Sequence, residues 1–224
     1  MADISSPGER AEPGGQFSPE ESLALIETQG QDATRSLTVD PVPILAMWGL
    51  AWLAGFGSFY LASPKGPGPL LPTWVAAVAL VVLFAAAVAV SVGQGVWHGR
   101  GVEGPSRLAG AMYGWSWLLA FAGLYAVNLG LIHQGLPSGL APLMWSGTSL
   151  LVVGLLYLAG GMLWRDRVQY GLGAWTMTTG AASVSAGVPA NFAVLSLAGG
   201  GGFLVAALLA HTRTRRSYRA RAER

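Results

Sequence analysis

The sequence predicts an all-α fold, a polytopic membrane helical bundle with six transmembrane helices, and three observations predict it. Hydrophobic residues make up 52% of the 224 positions and charged residues only 11%, about half the charged share of an ordinary soluble domain. A water-soluble chain of this size could not cover its surface with so few charged side chains. The charges are also confined to short stretches, and the tracts between them reach the roughly 20 apolar residues that a spanning helix needs. Finally, the basic residues fall in alternate gaps between those tracts, the pattern that orients helices in a membrane.

Residues 1–40 hold Asp3, Glu9, Glu12, Glu20, Glu21, Glu27, Asp32 and Asp40 against Arg10 and Arg35, a net charge of −6. They lack the basic start and early apolar core of a secretory signal, so the first span is expected to drive insertion. Ser18-Pro19-Glu20-Glu21 combines an N-cap, a first-turn proline and the glutamate of a capping box. It predicts a short amphipathic helix with Leu23, Ile26, Ala33 and Leu37 as its apolar stripe, lying against the inner membrane surface or the bundle.

Residues 44–62, 72–97, 108–132 and 140–164 supply four spans. Between Arg167 and Arg213 there is no Asp, Glu, Lys or Arg. At about 1.5 Å per residue that tract is long enough to cross twice, with Val188-Pro189-Ala190-Asn191 as the expected turn. The transmembrane domain therefore covers residues 41–211. A basic cytoplasmic tail follows over 212–224, with six arginines, one Glu and a net charge of +5.

Charge settles the expected orientation. Arg10, Arg35, Arg100, Arg107, Arg165, Arg167 and the six tail arginines fall on one side of the membrane, and Lys65 on the other. The positive-inside rule then places both termini in the cytoplasm. A five-span arrangement would export the arginine tail.

Spans one and three align without a gap. Met47-Trp48-Gly49-Leu50-Ala51-Trp52-Leu53 falls on Met112-Tyr113-Gly114-Trp115-Ser116-Trp117-Leu118, with Phe56 on Phe121 and Tyr60 on Tyr125. Span five keeps a weaker echo in Tyr170-Gly171-Leu172-Gly173-Ala174-Trp175. Three parallel helical hairpins, each starting and finishing in the cytoplasm, account for this pattern. Recurrent anchoring of Trp, Gly and Arg at every inner interface accounts for it as well.

Chemistry-bearing groups are few. With no cysteine, disulfides, thiolate metal sites and cysteine catalysis are excluded. No span contains Asp, Glu, Lys or Arg in its interior, which argues against a proton relay or ion site. Ser183 and Ser185 lie near the outer end of span five, roughly 30 Å across the bilayer from His211 at the inner end of span six. His133 could approach Ser183, but no carboxylate lies on that side to complete a triad, so no catalytic residue, metal site or cofactor is expected and the chain reads as a non-enzyme. The polar face of span five is Thr176, Thr179, Ser183 and Gly187 at helical spacing. Together with Asn128, Gly200 and Gly201 it forms the candidate substrate-lining or packing face. Gly199-Gly200-Gly201-Gly202 either unwinds span six at mid-membrane or lets two helices touch. Gly95-x-x-x-Gly99 and Gly110-x-x-x-Gly114 also fit small-residue packing. Arg213, Arg215, Arg216 and Arg219 of the tail are expected to meet anionic lipid headgroups. No phosphate-binding loop is present and nucleic acid is not an expected partner.

Ser18-Pro19-Glu20-Glu21-Ser22-Leu23-Ala24-Leu25-Ile26-Glu27 and Met47-Trp48-Gly49-Leu50-Ala51-Trp52-Leu53-Ala54-Gly55-Phe56-Gly57 resemble a group of uncharacterised actinobacterial multi-pass integral membrane proteins, sometimes loosely labelled transporters. The resemblance implies a bacterial inner-membrane location and brings no site residues. Three roles are open on the sequence. The first is a membrane component of a transport system, either a small permease or the partner of a separate ATPase or other membrane subunit. The second is a non-transporting scaffold or regulatory protein acting through its charged termini, and the third a lipid-directed enzyme. The polar face, the glycine run and the repeat favour the first.

Overall fold

The computed structural model describes the backbone of residues 41–99 and 105–222, together with Ser18 and Leu23, and the side chains of residues 41–97 and 107–213. The chain divides between Thr38 and Val39 into two compact units. The amphipathic helix expected from residue 18 onward lies outside the described residues, apart from Ser18 and Leu23 themselves. The rods described next all belong to the second unit.

Among the described residues the second unit is built from helices alone. They are α1 (Pro41–Ala62), α2 (Thr73–Gly99), α3 (Pro105–His133), α4 (Ala141–Leu163) and α5 (Arg167–Ala186), followed by one interrupted rod. That rod is α-helical over α6 (Ala190–Val194), π-helical over π1 (Leu195–Gly200), and α-helical again over α7 (Gly201–Ala222). Five of the rods are long and apolar enough to cross a membrane: those of α1, α2, α3 and α4, and Ala190–Arg213. Helix α5 is not among them, which corrects the expectation that six helices qualify by composition. Its 20 residues open on Arg167 and carry Gln169, three threonines and two serines, so it has the length of a span without the apolarity.

Helix ends follow local chemistry. Pro105 opens α3 and Pro142 lies in the first turn of α4, where a missing N–H costs nothing. Asp166 caps α5, its Oδ1 accepting from the Val168 N–H at 2.8 Å and the Gln169 N–H at 3.3 Å. The expected turn at 188–191 is displaced. Gly187 ends α5 with a φ of 69°, and Ala190 already begins α6. Asn191 lies inside that helix and is fully buried.

Packing links the rods in the order α2, α1, α6–π1–α7, α5, α4, α3. Helices α2 and α3 thus stand at the two ends of this order, and each buries only 11% of its spanning window. The closest pairing joins α4 to α5, across the boundary between the second and third expected hairpins. An aromatic cluster ties the middle together. Trp52 of α1 meets Phe203 of α7 at 5.4 Å between ring centroids, Phe203 meets Tyr157 of α4 at 5.9 Å, and Tyr157 meets Trp117 of α3 at 5.6 Å. Trp52 and Trp117 each pair with the phenylalanine one turn later, Phe56 and Phe121. Tyr60 and Tyr125 differ, the first half-buried and the second exposed.

Candidate functional site

The buried face of α5 arises from its own spacing. Leu172, Gly173, Thr176, Thr179, Gly180 and Ser183 recur every three or four residues and all are buried. A hydroxyl in an apolar interior needs an acceptor, and the nearest is its own helix. Thr176 Oγ1 donates to the Leu172 carbonyl and Ser183 Oγ to the Gly180 carbonyl, each at 2.8 Å. These two hydroxyls are satisfied without a ligand or a partner helix.

Opposite this face the backbones of α4 and α5 nearly touch. A methyl group added at Gly173 would lie 2.8 Å from the Gly154 carbonyl oxygen and 2.8 Å from the Leu158 nitrogen. One added at Gly154 would meet the Met177 side chain and stand 2.9 Å from the Gly173 carbonyl oxygen. The contact runs the whole length of the pair, with Gly147 against Val184 at one end and Gly161 against Tyr170 at the other. The seam is written as seven-residue spacings, Gly147, Gly154 and Gly161 on α4 with Gly173 and Gly180 on α5. Seven residues are about two helical turns, so each set keeps to one face. The four-residue pairs singled out in the sequence behave differently. At Gly95, Gly110 and Gly114 an added methyl group would have nothing within 4 Å.

The glycine run stays helical and divides its duties. Gly199 faces the Trp52 indole, while Gly200 lies against α1, where an added methyl would be 2.8 Å from the Leu53 nitrogen and 2.9 Å from the Gly49 carbonyl oxygen. Gly202 faces Trp175 of α5. Gly201 has nothing within 4 Å, so it does not share the packing role that the sequence assigns jointly to Gly200 and Gly201. The wider ring of π1 perturbs the regular carbonyl pairing. Here the Trp175 indole N–H donates to the Ala198 carbonyl at 2.9 Å, and Ser196 Oγ donates to the Leu53 carbonyl of α1 at 2.7 Å.

Asn128 is fully buried, but it pairs with α4, its Nδ2 donating to Thr148 Oγ1 at 3.0 Å. Its Oδ1, both amide atoms of Asn191, and Trp52 Nε1 are buried polar atoms without a protein partner. Of the tail arginines assigned to lipid headgroups, Arg213 is exposed; Arg215, Arg216 and Arg219 have side chains outside the described residues. Two surface depressions of about 290 Å³ each lie elsewhere. One is at the α4–α5 turn and the other on the outer surface of α3, and neither is lined by Thr176, Thr179 or Ser183. Among the described residues no three His, Asp or Glu side chains come together as metal ligands.

Among the described residues this geometry is all-helical, with five helices long and apolar enough to cross a membrane and glycine-mediated contacts between helices. Comparison of the chain with protein families, curated proteins and solved structures found no match.

Proposed function

We propose that this chain is a six-span membrane protein, with both termini in the cytoplasm, that serves as a scaffold or regulatory subunit rather than as a permease. The sixth crossing is supported by the α4–α5 seam. Since α5 follows α4 from Gly161–Tyr170 to Gly147–Val184, a membrane crossed by α4 is crossed by α5 too. Thr176, Thr179 and Ser183 are buried, and the exposed Thr178 and Ser185 donate to carbonyls of their own helix at 3.0 Å, so its low apolarity is tolerated. Reporter fusions at residues 66 and 137 should read exterior, and one after residue 224 cytoplasm. An exterior signal at the C-terminus would reduce the count to five.

The scaffold reading is carried by the buried Thr176 and Ser183, whose hydroxyls bond to carbonyls of their own helix. The charged termini, net −6 and +5, are its interaction elements. Thr176→Val combined with Ser183→Ala should therefore change stability by only about 0.6 kcal/mol per hydroxyl and should complement a deletion strain like the native gene. Normal folding with lost complementation would restore the substrate-lining reading. That second reading, a transport-system component, draws support from π1 beside the two unpartnered amide atoms of Asn191, since π segments recur at functional sites.

A further inference from the structure

We propose that the α4–α5 turn is a binding site for the phosphate of an anionic lipid headgroup, separate from the arginine tail. The turn bears an open, shallow depression of about 290 Å³ lined by Gly161, Arg165, Asp166, Arg167, Tyr170 and Gly171. Two of those six residues are arginines, both exposed, and neither forms an ion pair among the described residues. The one carboxylate in the lining caps α5, Asp166 Oδ1 accepting the Val168 and Gln169 N–H groups. Two guanidiniums against one carboxylate leave the lining net positive, and a phosphate matches their forked donors.

The turn is rigid. The Asp166 N–H donates to the Gly161 carbonyl at 2.9 Å and the Arg165 N–H to the Met162 carbonyl at 3.4 Å, the paired bonds of a Schellman end. Arg165 consequently sits at the position usually given to glycine, with a φ of 54°. A glycine would relieve that strain, so Arg165 occupies this position at a cost to stability. Gln169 Nε2 donates to Tyr113 Oη at 3.3 Å and Tyr113 Oη to the Leu156 carbonyl at 2.9 Å, which ties the start of α5 to α3 and α4. The inference rests on the reading that α4 and α5 cross the membrane, which sets the turn at its surface. Exposed Trp164 and Tyr170 flank the arginines, the aromatic setting of a headgroup layer, and this selects a lipid over free phosphate.

Native mass spectrometry of the full-length protein in mild detergent, with phosphatidylglycerol, phosphatidylcholine or inorganic phosphate added, tests the site. One phosphatidylglycerol should be retained per chain and phosphatidylcholine should not. Arg165→Gly and Arg167→Gln should each weaken retention about tenfold. Arg165→Gly should melt no lower than the native protein, because glycine suits that backbone. Gly171→Leu should also abolish retention while keeping both charges, since its side chain enters space that is empty within 4 Å. Native-like retention by all three variants overturns the proposal. So does loss only on Arg215→Gln with Arg216→Gln, or displacement of the lipid by millimolar-range phosphate. Membrane fractionation of the same variants separates the two readings: a chain extracted by carbonate fails as a membrane protein, whereas one that stays with the membrane but ignores phosphatidylglycerol fails only here.

Discussion

Gly154→Ala is expected to destabilise the protein by about 2 kcal/mol, within the range for overpacking a tight interior, and Gly154→Leu to prevent a stable bundle from forming. The new methyl group would meet the Met177 side chain, which can move. It would also stand 2.9 Å from the Gly173 carbonyl oxygen and 3.2 Å from the Met177 nitrogen, which move only if the two helices separate. Separation is costly in lipid because helix association there depends on close van der Waals contact rather than on escape from water. Every other contact along the seam would loosen with it. Gly123→Ala in α3 is the control. Nothing lies within 4 Å of that position, so the change should be neutral or stabilise by up to about 1 kcal/mol through helix propensity. Unfolding of both variants by heat or by a denaturing detergent makes the comparison, and equal midpoints would remove the seam from any account of stability.

Gly200→Leu and Gly201→Leu should part company, although the two residues are neighbours in a run of four glycines. At Gly200 all three nearest atoms are backbone, the Leu53 nitrogen at 2.8 Å, the Gly49 carbonyl oxygen at 2.9 Å and the Leu53 Cα at 3.1 Å. A leucine must push α1 away, straining the Ser196–Leu53 hydrogen bond and the contact of Trp52 with Phe203. A loss of about 3 kcal/mol or more is expected. At Gly201 the same side chain enters open space and should cost less than about 1 kcal/mol. The sequence treats the two glycines alike, so equal destabilisation, read from the same unfolding midpoints, would show that the run acts as a unit and that π1 has a different register.

The hairpin repeat illustrates how far a linear pattern carries. Trp52–Phe56 and Trp117–Phe121, matched without a gap, are both ring pairs, but the first is edge-on at 5.4 Å and the second stacked at 6.3 Å. Moreover, α1 is wedged between α2 and the α6–π1–α7 rod, while α3 leans chiefly on α4. Similar sequences therefore occupy unequal environments, because burial depends on which neighbours arrive and not on the segment itself.

Where the helices run is written in the chain. Long tracts without charge specify them, as do Pro105, Pro142 and Asp166 at helix starts and Gly187 at an end, since backbone hydrogen bonding and membrane thickness are local constraints. The α5 face is legible there too, because hydroxyls and glycines at helical spacing stand out among apolar residues. The packing order, the split of duties within Gly199-Gly200-Gly201-Gly202, the insertion of π1, and the burial of Asn191 within a helix rather than in a turn all emerge only on folding. In lipid a helix is apolar on every side, so hydrophobic periodicity no longer points to the face that packs. Which face packs is fixed by a fit between two helices at once, as between Gly154 and Gly173, and neither segment encodes that fit alone.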